Sequence, residues 1–500
     1  MSRCDRLALL ISLWAVLAAV GFSEQVFESI PHIEDEFTYV WQAQAVVGGH
    51  AILPSPPCGS CFTVPFVIDF QGIRFGKYPL GYPVILAAGL KLGTRHLVNP
   101  ILSGFSLWLM YLLIKKVTDE KSALLASLLT LVSPFFLMNS SNLLSHAWSL
   151  FLSAGLANAW LDTVSPAPRR PRLSAAVAAL CLGALALTRP LTALGVALPF
   201  GVHGLYILAM GNRSTRLRVA GIGLLAAMIA SLHLLWQFAL TGNALLNPYT
   251  LWWEKDALGF GSQVGYQPGG YHLGDVFVNM ATSLRTGASD LFGWPYLSWI
   301  FLPFGVAALR RNKPALLVSS VFLSLVLAYT LYWSASWLYG PRYYYEGLFS
   351  LTLLSAAGIR SLANRGGNSQ LLRVGEFILS RRSALMAALV AVLIAVNLLV
   401  YLPGRAASLS HLYGVTRKNL EVFSSPQALA ATPALLIIHA QNWNEYYQFL
   451  ELGDAYLQGP YLIAVNQGEG GNLLLASQYP ERTVIHYYPD SPGKINFSPR

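Results

Sequence analysis

Three adjacent carboxylates, Glu34, Asp35 and Glu36, follow the first apolar run of a chain in which acidic groups are otherwise scarce. Held together at a bilayer edge, such groups repel one another and lose water, which raises their pKa values. A carboxylate so placed can act as a general base toward a hydroxyl or an amine. The plainer reading is a helix start, where acids cap the first turn and meet the positive end of the dipole. Phe37, Val40, Trp41 and Val47 follow at roughly helical spacing, as in an amphipathic helix lying on the membrane. Capping alone accounts comfortably for one acid, not for three.

Basic groups recur at separated points that can answer these acids. Arg74 and Lys77 sit in Arg74-Phe-Gly-Lys77-Tyr78-Pro-Leu-Gly-Tyr-Pro83, and the preceding Phe66 to Phe70 and Ile73 to Phe75, flanking Gln71-Gly72, read as a small hairpin. A Lys before a Pro- and Gly-framed turn suits an ammonium held against a lipid phosphate, although snorkelling at an interface is an equal reading. Arg189 lies between two apolar runs, where an isolated guanidinium costs about 2.5–3.5 kcal/mol and is expected to line a cavity or meet an anion. Arg342 precedes Tyr343 to Tyr345, and Glu346 stands one turn on, where it can pair with Arg342. His146 can contact a substrate or be satisfied by neighbours. Trp252-Trp253-Glu254-Lys255-Asp256 can bind a sugar through rings and carboxylates, or the tryptophans can be ordinary interface residues.

The elements that must position these residues are membrane spans. Hydrophobic residues make up 54% of the 500 positions and charged residues only 11%, which excludes a soluble protein and predicts a mainly α, polytopic membrane protein. Eleven spans are expected, near 7–22, 98–114, 122–138, 147–163, 173–187, 191–210, 219–240, 291–309, 315–334, 343–359 and 384–402. The first is read as a retained helix, not a cleaved signal, since it lacks a small-residue cleavage site. With Arg3 and Arg6 inside, the clusters Lys115/Lys116/Lys121, Arg169/Arg170/Arg172, Arg213/Arg216/Arg218, Arg310/Arg311/Lys313 and Arg360/Arg365/Arg373/Arg381/Arg382 all fall on the inner side, as the positive-inside rule requires. The net charge of +10 therefore reports topology and not a nucleic-acid partner.

Tyr78 to Leu90, with Pro79 and Pro83, is too short to cross and reads as interfacial or re-entrant. Two outer loops (23–97 and 241–290) and an outer tail (404–500) remain, beside a membrane domain over 1–403. In the tail, Ala434 to His439, Tyr461 to Val465 and Thr483 to Tyr487 read as buried strands, with helices at Asn444 to Leu452 and Asn472 to Gln478, giving a small α/β domain with parallel strands. The polar stretch from Ala363 to Gln370 reads as a linker. Cys58 and Cys61 can close a small disulfide among prolines, while a zinc site lacks suitably spaced partners.

The acidic pair after the first helix and the Lys-x-Pro-x-Gly-Tyr turn resemble membrane glycosyltransferases of the GT-C superfamily, in particular the protein O-mannosyltransferase and aminoarabinose-transferase-like group. Leu187-Thr188-Arg189-Pro190-Leu191-Thr192 and Tyr339-Gly340-Pro341-Arg342-Tyr343-Tyr344 resemble two further elements of that group, in the same order. The resemblance spans most of the first 360 residues. It implies a sugar donor on a polyprenyl phosphate, a protein, glycan or lipid acceptor, and inverting transfer at the outer face of a plasma or inner membrane; the charge pattern puts the N-terminus on the cytoplasmic side and the tail on the extracytoplasmic side. By position it assigns Asp35 as base with Glu36 beside it, and Lys77, Arg189, Arg342 and Tyr343 around the donor phosphate. Tyr78, His146, Glu254 and Glu346 are further substrate-contact candidates. No Gly-rich nucleotide cradle is present and no cofactor is assigned; a divalent metal is left open. The alternative is a transporter or flippase of a lipid-linked sugar, for which broken helices in an internal repeat are expected, and no such repeat is visible.

Overall fold

The computed structural model describes residues 1–167, 169–364, 371–374 and 377–497. Helix α1 (Arg3–Gln25) opens on a capping box: the Ser2 hydroxyl accepts the Asp5 N–H and the Asp5 carboxylate accepts that of Ser2, so two donors left bare at a helix start are satisfied. Then come α2 (Glu34–Val47) and a three-stranded antiparallel sheet of β1 (Leu53–Pro54), β2 (Val67–Phe70) and β3 (Ile73–Gly76), with β3 in the middle. The expected hairpin is β2–β3, turned by Gln71 and Gly72 at φ 51° and 84°. Helix α3 (Gly81–Lys91) has 11 residues, about 16 Å of rise and too little to cross.

The bundle follows as α4 (Val98–Val117), α5 (Glu120–Leu131), α6 (Pro134–Ser141), α7 (His146–Val164), α8 (Pro171–Ala186), α9 (Pro190–Met210) and α10 (Arg213–Thr241). After α11 (Tyr249–Trp252) come α12 (Leu273–Asp290), α13 (Leu302–Leu309), α14 (Lys313–Ala328) and α15 (Leu348–Asn364). The strand pair β4 (Leu371–Val374) and β5 (Phe377–Ser380) leads to α16 (Arg381–Val396), a π-helical turn at Asn397–Tyr401 and α17 (Leu402–Leu409). Among the described residues six helices are long and apolar enough to cross a membrane, or seven if α5 and α6, bent by 63°, make one span. The bend falls at Pro134, which has no N–H to continue the ladder, and the Ser133 hydroxyl caps the new helix at the Phe136 N–H.

Three expectations need correction. The span placed at 291–309 is helical only over Leu302–Leu309, because Phe292 and Trp294 turn into the core and are fully buried. The span at 343–359 begins as a tighter 3-10 turn over Arg342–Gly347. Helix α2 does not lie on the membrane: α3 flanks it, Phe37 meets Tyr447 with ring centroids 6.2 Å apart, and Trp41 and Ala45 pack with Leu53, Val64, Val67 and Ala455. Phe37 and Trp41 thus face the first loop and the tail, while Val47 stays exposed. From residue 365 to 370 the expected linker, Arg365 included, lies outside the described residues.

The two ends of the bundle differ. At one end Lys115 meets Asp5 (2.6 Å) and Glu120 (2.8 Å), Lys116 meets Asp162 (2.8 Å), and Arg360 meets Asp119. Such exposed pairs contribute little individually. The opposite end carries the first loop and the last hundred residues. There α18 (Pro426–Ala430), β6 (Ala434–Ile438), α19 (Trp443–Tyr447), β7 (Tyr461–Val465), α20 (Gly468–Ser477), β8 (Thr483–Tyr487) and β9 (Asn496–Phe497) form a sheet in the order β7-β6-β8-β9. Strands β7 and β8 both run parallel to β6, and β9 is antiparallel to β8. Every residue of β6 is buried, which is why it reads as the uninterrupted apolar run of a parallel strand covered on both faces. One face packs on Phe423, Tyr446 and Phe449. The other packs on Leu475 and on Cys61 and Phe62 of the first loop, where Cys58 and Cys61 form a disulfide.

Candidate active site

The start of α2 places the three acids differently. Glu36 is 2% exposed and its oxygens are occupied by backbone: one accepts the N–H groups of His32 (2.8 Å) and Ile33 (3.2 Å), the other that of Leu143 (2.7 Å). Burial pushes its carboxyl up to about 7 against those donors. Glu36 therefore fastens the helix start to the α6–α7 turn, and the structure does not place it beside Asp35 as a second reactive group. Asp35 accepts the Tyr78 hydroxyl at 2.5 Å and faces Arg342 Nη2 at 3.6 Å. Burial alone would raise the Asp35 carboxyl; the Arg342 charge, the Tyr78 hydroxyl and Lys77 outweigh it and hold the group below its ordinary value. Glu34 is half-buried, and no group among the described residues donates to its carboxylate. Burial and the neighbouring Asp35 push it up to about 7.

The β2–β3 hairpin delivers Lys77, now 4% exposed, into a cage. Its Nζ lies 3.2 Å from Asp256 Oδ2, 3.6 Å from the Phe66 ring centroid, and 4.8 and 4.9 Å from those of Tyr249 and Trp253, distances at which ring faces attract a cation. Burial lowers its pKa against the pull of Asp256 and Asp35. Asp256 also accepts from Tyr332 (3.2 Å) and Trp333 (3.0 Å). Glu254, the expected contact, is exposed and does not join the site; the inward acid of that loop is Asp256, two residues on. Arg74 is buried in the first loop, donating to the Phe62 carbonyl with Asp69 at 3.7 Å, and serves that loop instead of the site.

Arg189 stands immediately before α9, whose first residue is proline, a residue suited to a position that needs no N–H. Its guanidinium donates to Thr192 (3.1 Å), Ser145 (3.3 Å) and Tyr329 (3.0 Å), and lies 3.5 Å from Glu346 Oε1. His146 Nδ1 meets the same carboxylate at 3.3 Å. Glu346 thus pairs with Arg189 and His146, not with Arg342 as helical spacing suggested. His146 and Glu346, at 1% and 0% exposure, lie behind Arg189, so neither is placed to touch a substrate directly. Tyr343 stacks on Tyr329 at 4.9 Å and lies beneath Arg342, 5.7 Å from its ring centroid. Arg342 Nη1 is buried and has no partner among the described residues, an uncommon state for such a donor and one an anionic ligand relieves.

Contacts tie these groups together. Tyr78, bonded to Asp35, stacks on Tyr39 at 4.6 Å, and the Tyr39 hydroxyl pairs at 3.1 Å with Ser145, which accepts from Arg189. Beside Asp35 opens a cavity of about 190 Å³ lined by Glu34, Asp35, Trp337, Arg342, Tyr413 and Trp443, among others. Between α7, α9 and α14 runs a groove of about 950 Å³ lined mainly by apolar residues, which begins beside Lys116, Asp162 and Lys313 at the end of the bundle opposite the site and reaches Leu198 on α9 and Leu327 on α14. No group of three or more His, Cys, Asp or Glu residues suited to a metal is found among the described residues. Sequence reasoning gave Asp256 only as the last member of the Trp252–Asp256 run, and it missed Tyr39, Ser145, Thr192 and Tyr329 as site residues, each an ordinary residue type in an apolar context. Only Tyr39 carried a signal, one helical turn beyond Asp35.

A helical bundle with a long first loop and this end-on cluster of acids, arginines and tyrosines shares its fold with solved structures. The chain is similar to ArnT from Cupriavidus metallidurans bound to undecaprenyl phosphate, with a TM-score of 0.59, 14% identity and coverage of 95% of this chain and 92% of that one. The apo state of the same protein gives 0.58 and 14%. The Archaeoglobus fulgidus oligosaccharyltransferase in its apo form gives 0.53 at 13% identity, over 95% of this chain and 69% of that one. At such identities the likeness is one of fold. Neither a protein-family model nor a curated protein matches the sequence.

Proposed function

We propose that this protein is a membrane glycosyltransferase that moves a sugar from a polyprenyl-phosphate donor to an acceptor on the outer face of the membrane, with inversion. In this reading the N-terminus is cytoplasmic and residues 404–500 form an extracytoplasmic domain. The observation that carries it is a carboxylate with one guanidinium beside it and a second connected to it: Arg342, 3.6 Å from Asp35 and with Nη1 unpartnered among the described residues, and Arg189, which pairs with Glu346 and connects to Asp35 through Ser145, Tyr39 and the stacked Tyr78. A displacement at an anomeric carbon needs a base on the acceptor and positive charge where the phosphate leaves, and the site supplies both.

The acceptor oxygen attacks the anomeric carbon, its proton passes to Asp35, and the bond from that carbon to the phosphate oxygen breaks. Arg189 and Arg342 take the charge that develops on the departing polyprenyl phosphate. Lys77 holds one hydrogen bond to Asp256 and keeps two further N–H donors, so it adds positive charge at the edge of the phosphate. The apolar groove between α9 and α14 suits the polyprenyl chain, since Arg189 heads α9 and Tyr329 follows α14 at its upper end. That ArnT was solved with undecaprenyl phosphate supports the donor class.

Undecaprenyl phosphate should raise the melting temperature of the purified protein, because a ligand specific to the native state must stabilise it. Arg189→Ala combined with Arg342→Ala should abolish the rise. No rise in the parent protein would overturn the donor assignment.

A further inference from the structure

We propose that the cavity over Glu34 is the acceptor subsite and that it takes an uncharged carbohydrate, stacked on Trp443 and Tyr413 with its hydroxyls donating to Glu34. The inference rests on the glycosyl-transfer reading and names its second substrate. Four segments distant in sequence meet here: the start of α2 with Glu34 and Asp35, the loop of Ser334 to Leu338, the turn at Tyr413, and α19 with Trp443. Asp35 opens into the same cavity, so whatever occupies it lies against the base.

Trp337, Tyr413 and Trp443 are 55%, 41% and 38% exposed, and the Tyr413 and Trp443 rings meet edge to face at 5.2 Å. Large rings left open around a cavity floored by carboxylates suit a sugar, whose C–H face stacks on an aromatic ring while its hydroxyls donate to acids. The backbone invests in presenting one of these rings. His411 and Tyr413 both adopt positive φ, 55° and 56°, a strained state for residues with side chains that concentrates at functional sites. The turn is pinned by His411 to Glu28 at 2.9 Å and by Asn444 donating to the Tyr413 carbonyl at 2.8 Å.

Charge and backbone narrow the ligand class. Arg342, the one cationic residue among those lining the cavity, already faces Asp35 and is assigned to the donor phosphate, so no second cation remains here for a phosphorylated acceptor. A peptide would be recognised through its main chain, yet in the facing loop the Ser336 N–H already donates to Ser283 (3.0 Å) and the Leu338 carbonyl already accepts Arg405 (2.5 Å).

The test is saturation-transfer NMR on the full chain in a detergent without a sugar head group. The probes are methyl glycosides of glucose, galactose, mannose and rhamnose, with glucose 6-phosphate and the peptide Ala-Ser-Thr-Ala as competing classes. At least one glycoside should show saturation of its ring protons. That signal should fall at least tenfold in Trp443→Ala, Tyr413→Leu and Glu34→Gln, with undecaprenyl phosphate still raising the melting temperature of each variant as a control for folding. Saturation of none of the glycosides, stronger saturation of the peptide or the phosphorylated sugar, or glycoside signals unchanged in all three variants would overturn the inference. The two readings fail separately: absence of the lipid-induced shift in the parent protein counts against glycosyl transfer, and absence of glycoside saturation beside an intact shift counts against this subsite alone.

Discussion

Replacing Asp35 by Asn should separate donor binding from transfer by moving them in opposite directions. In the resting site the Arg342 guanidinium is shared between Asp35 and whatever anion arrives, and the pair stands at 3.6 Å. At an effective dielectric of about 20, two unit charges at that distance attract by about 5 kcal/mol. Arg342 and Asp35 keep 16% and 27% of their side-chain exposure, so rehydration returns much of this when the pair opens. What remains should resemble one hydrogen bond between charged groups, about 1.5 kcal/mol, or roughly tenfold in affinity. Asp35→Asn removes the competitor while keeping the shape and the Tyr78 hydrogen bond. It should bind undecaprenyl phosphate about tenfold more tightly than the parent, by titration calorimetry in detergent, while transfer from a sugar-loaded lipid falls about 10²- to 10⁴-fold with loss of the base. Weaker lipid binding in the variant would show that Arg342 is not divided between the two anions. Undiminished transfer would remove Asp35 from the chemistry.

Other perturbations test other parts of the site. Asp256→Asn leaves the Lys77 ammonium buried in its aromatic cage without an anion, and chemical denaturation should record a loss of about 3–5 kcal/mol; a change under about 1 kcal/mol would mean that the rings alone hold the cation. Glu34 has a folded pKa of about 7 against an ordinary value of 4.5, so its ionisation opposes folding: the stability it permits is complete below pH 4.5 and is lost as pH rises through 7. Glu34→Gln should therefore melt higher than the parent at pH 8 and equally at pH 4, and equal melting temperatures at both would contradict the shift. Cys58→Ser with Cys61→Ser opens a very short loop, for which chain entropy predicts a cost of no more than about 2 kcal/mol; a much larger loss would show that the bridge supports the packing of Phe62 on the tail sheet.

Much of the membrane part and of the tail was legible because its signals are local. Strands β6 and β7 are continuous apolar runs, as buried parallel strands must be, β8 keeps Val484 and Ile485 at its centre, and the β2–β3 hairpin announces itself through Gln71-Gly72. The errors came where the outcome depends on contacts between distant segments. The apolar positions of α2 were correctly spaced, but Phe37 and Trp41 are covered by the first loop and by the tail, some four hundred residues away. Which of three consecutive acids faces the cavity is decided by Leu143 claiming Glu36, and nothing near residue 36 encodes that contact. The expected pairing of Glu346 with Arg342 assumed α-helical spacing, whereas residues 342–347 form a 3-10 turn, in which positions four apart no longer share a face. Likewise Glu254 and Asp256 are indistinguishable by type, and only the fold of the loop from 241 to 272 selects the second.

The docking of Cys61 and Phe62 against Leu435, Ile437, Leu462 and Ala464 has a practical meaning for the last hundred residues. One face of their sheet is finished by a segment contributed from the other end of the chain, so a fragment beginning near Ser410 would expose bare hydrocarbon there and should be insoluble when expressed by itself. Supplying residues 51–76 as a separate peptide should rescue its solubility, and a fragment that stays soluble and monomeric without the peptide would show that the sheet is self-sufficient. Fusion partners or affinity handles belong instead at the C-terminus, which leaves that seam closed.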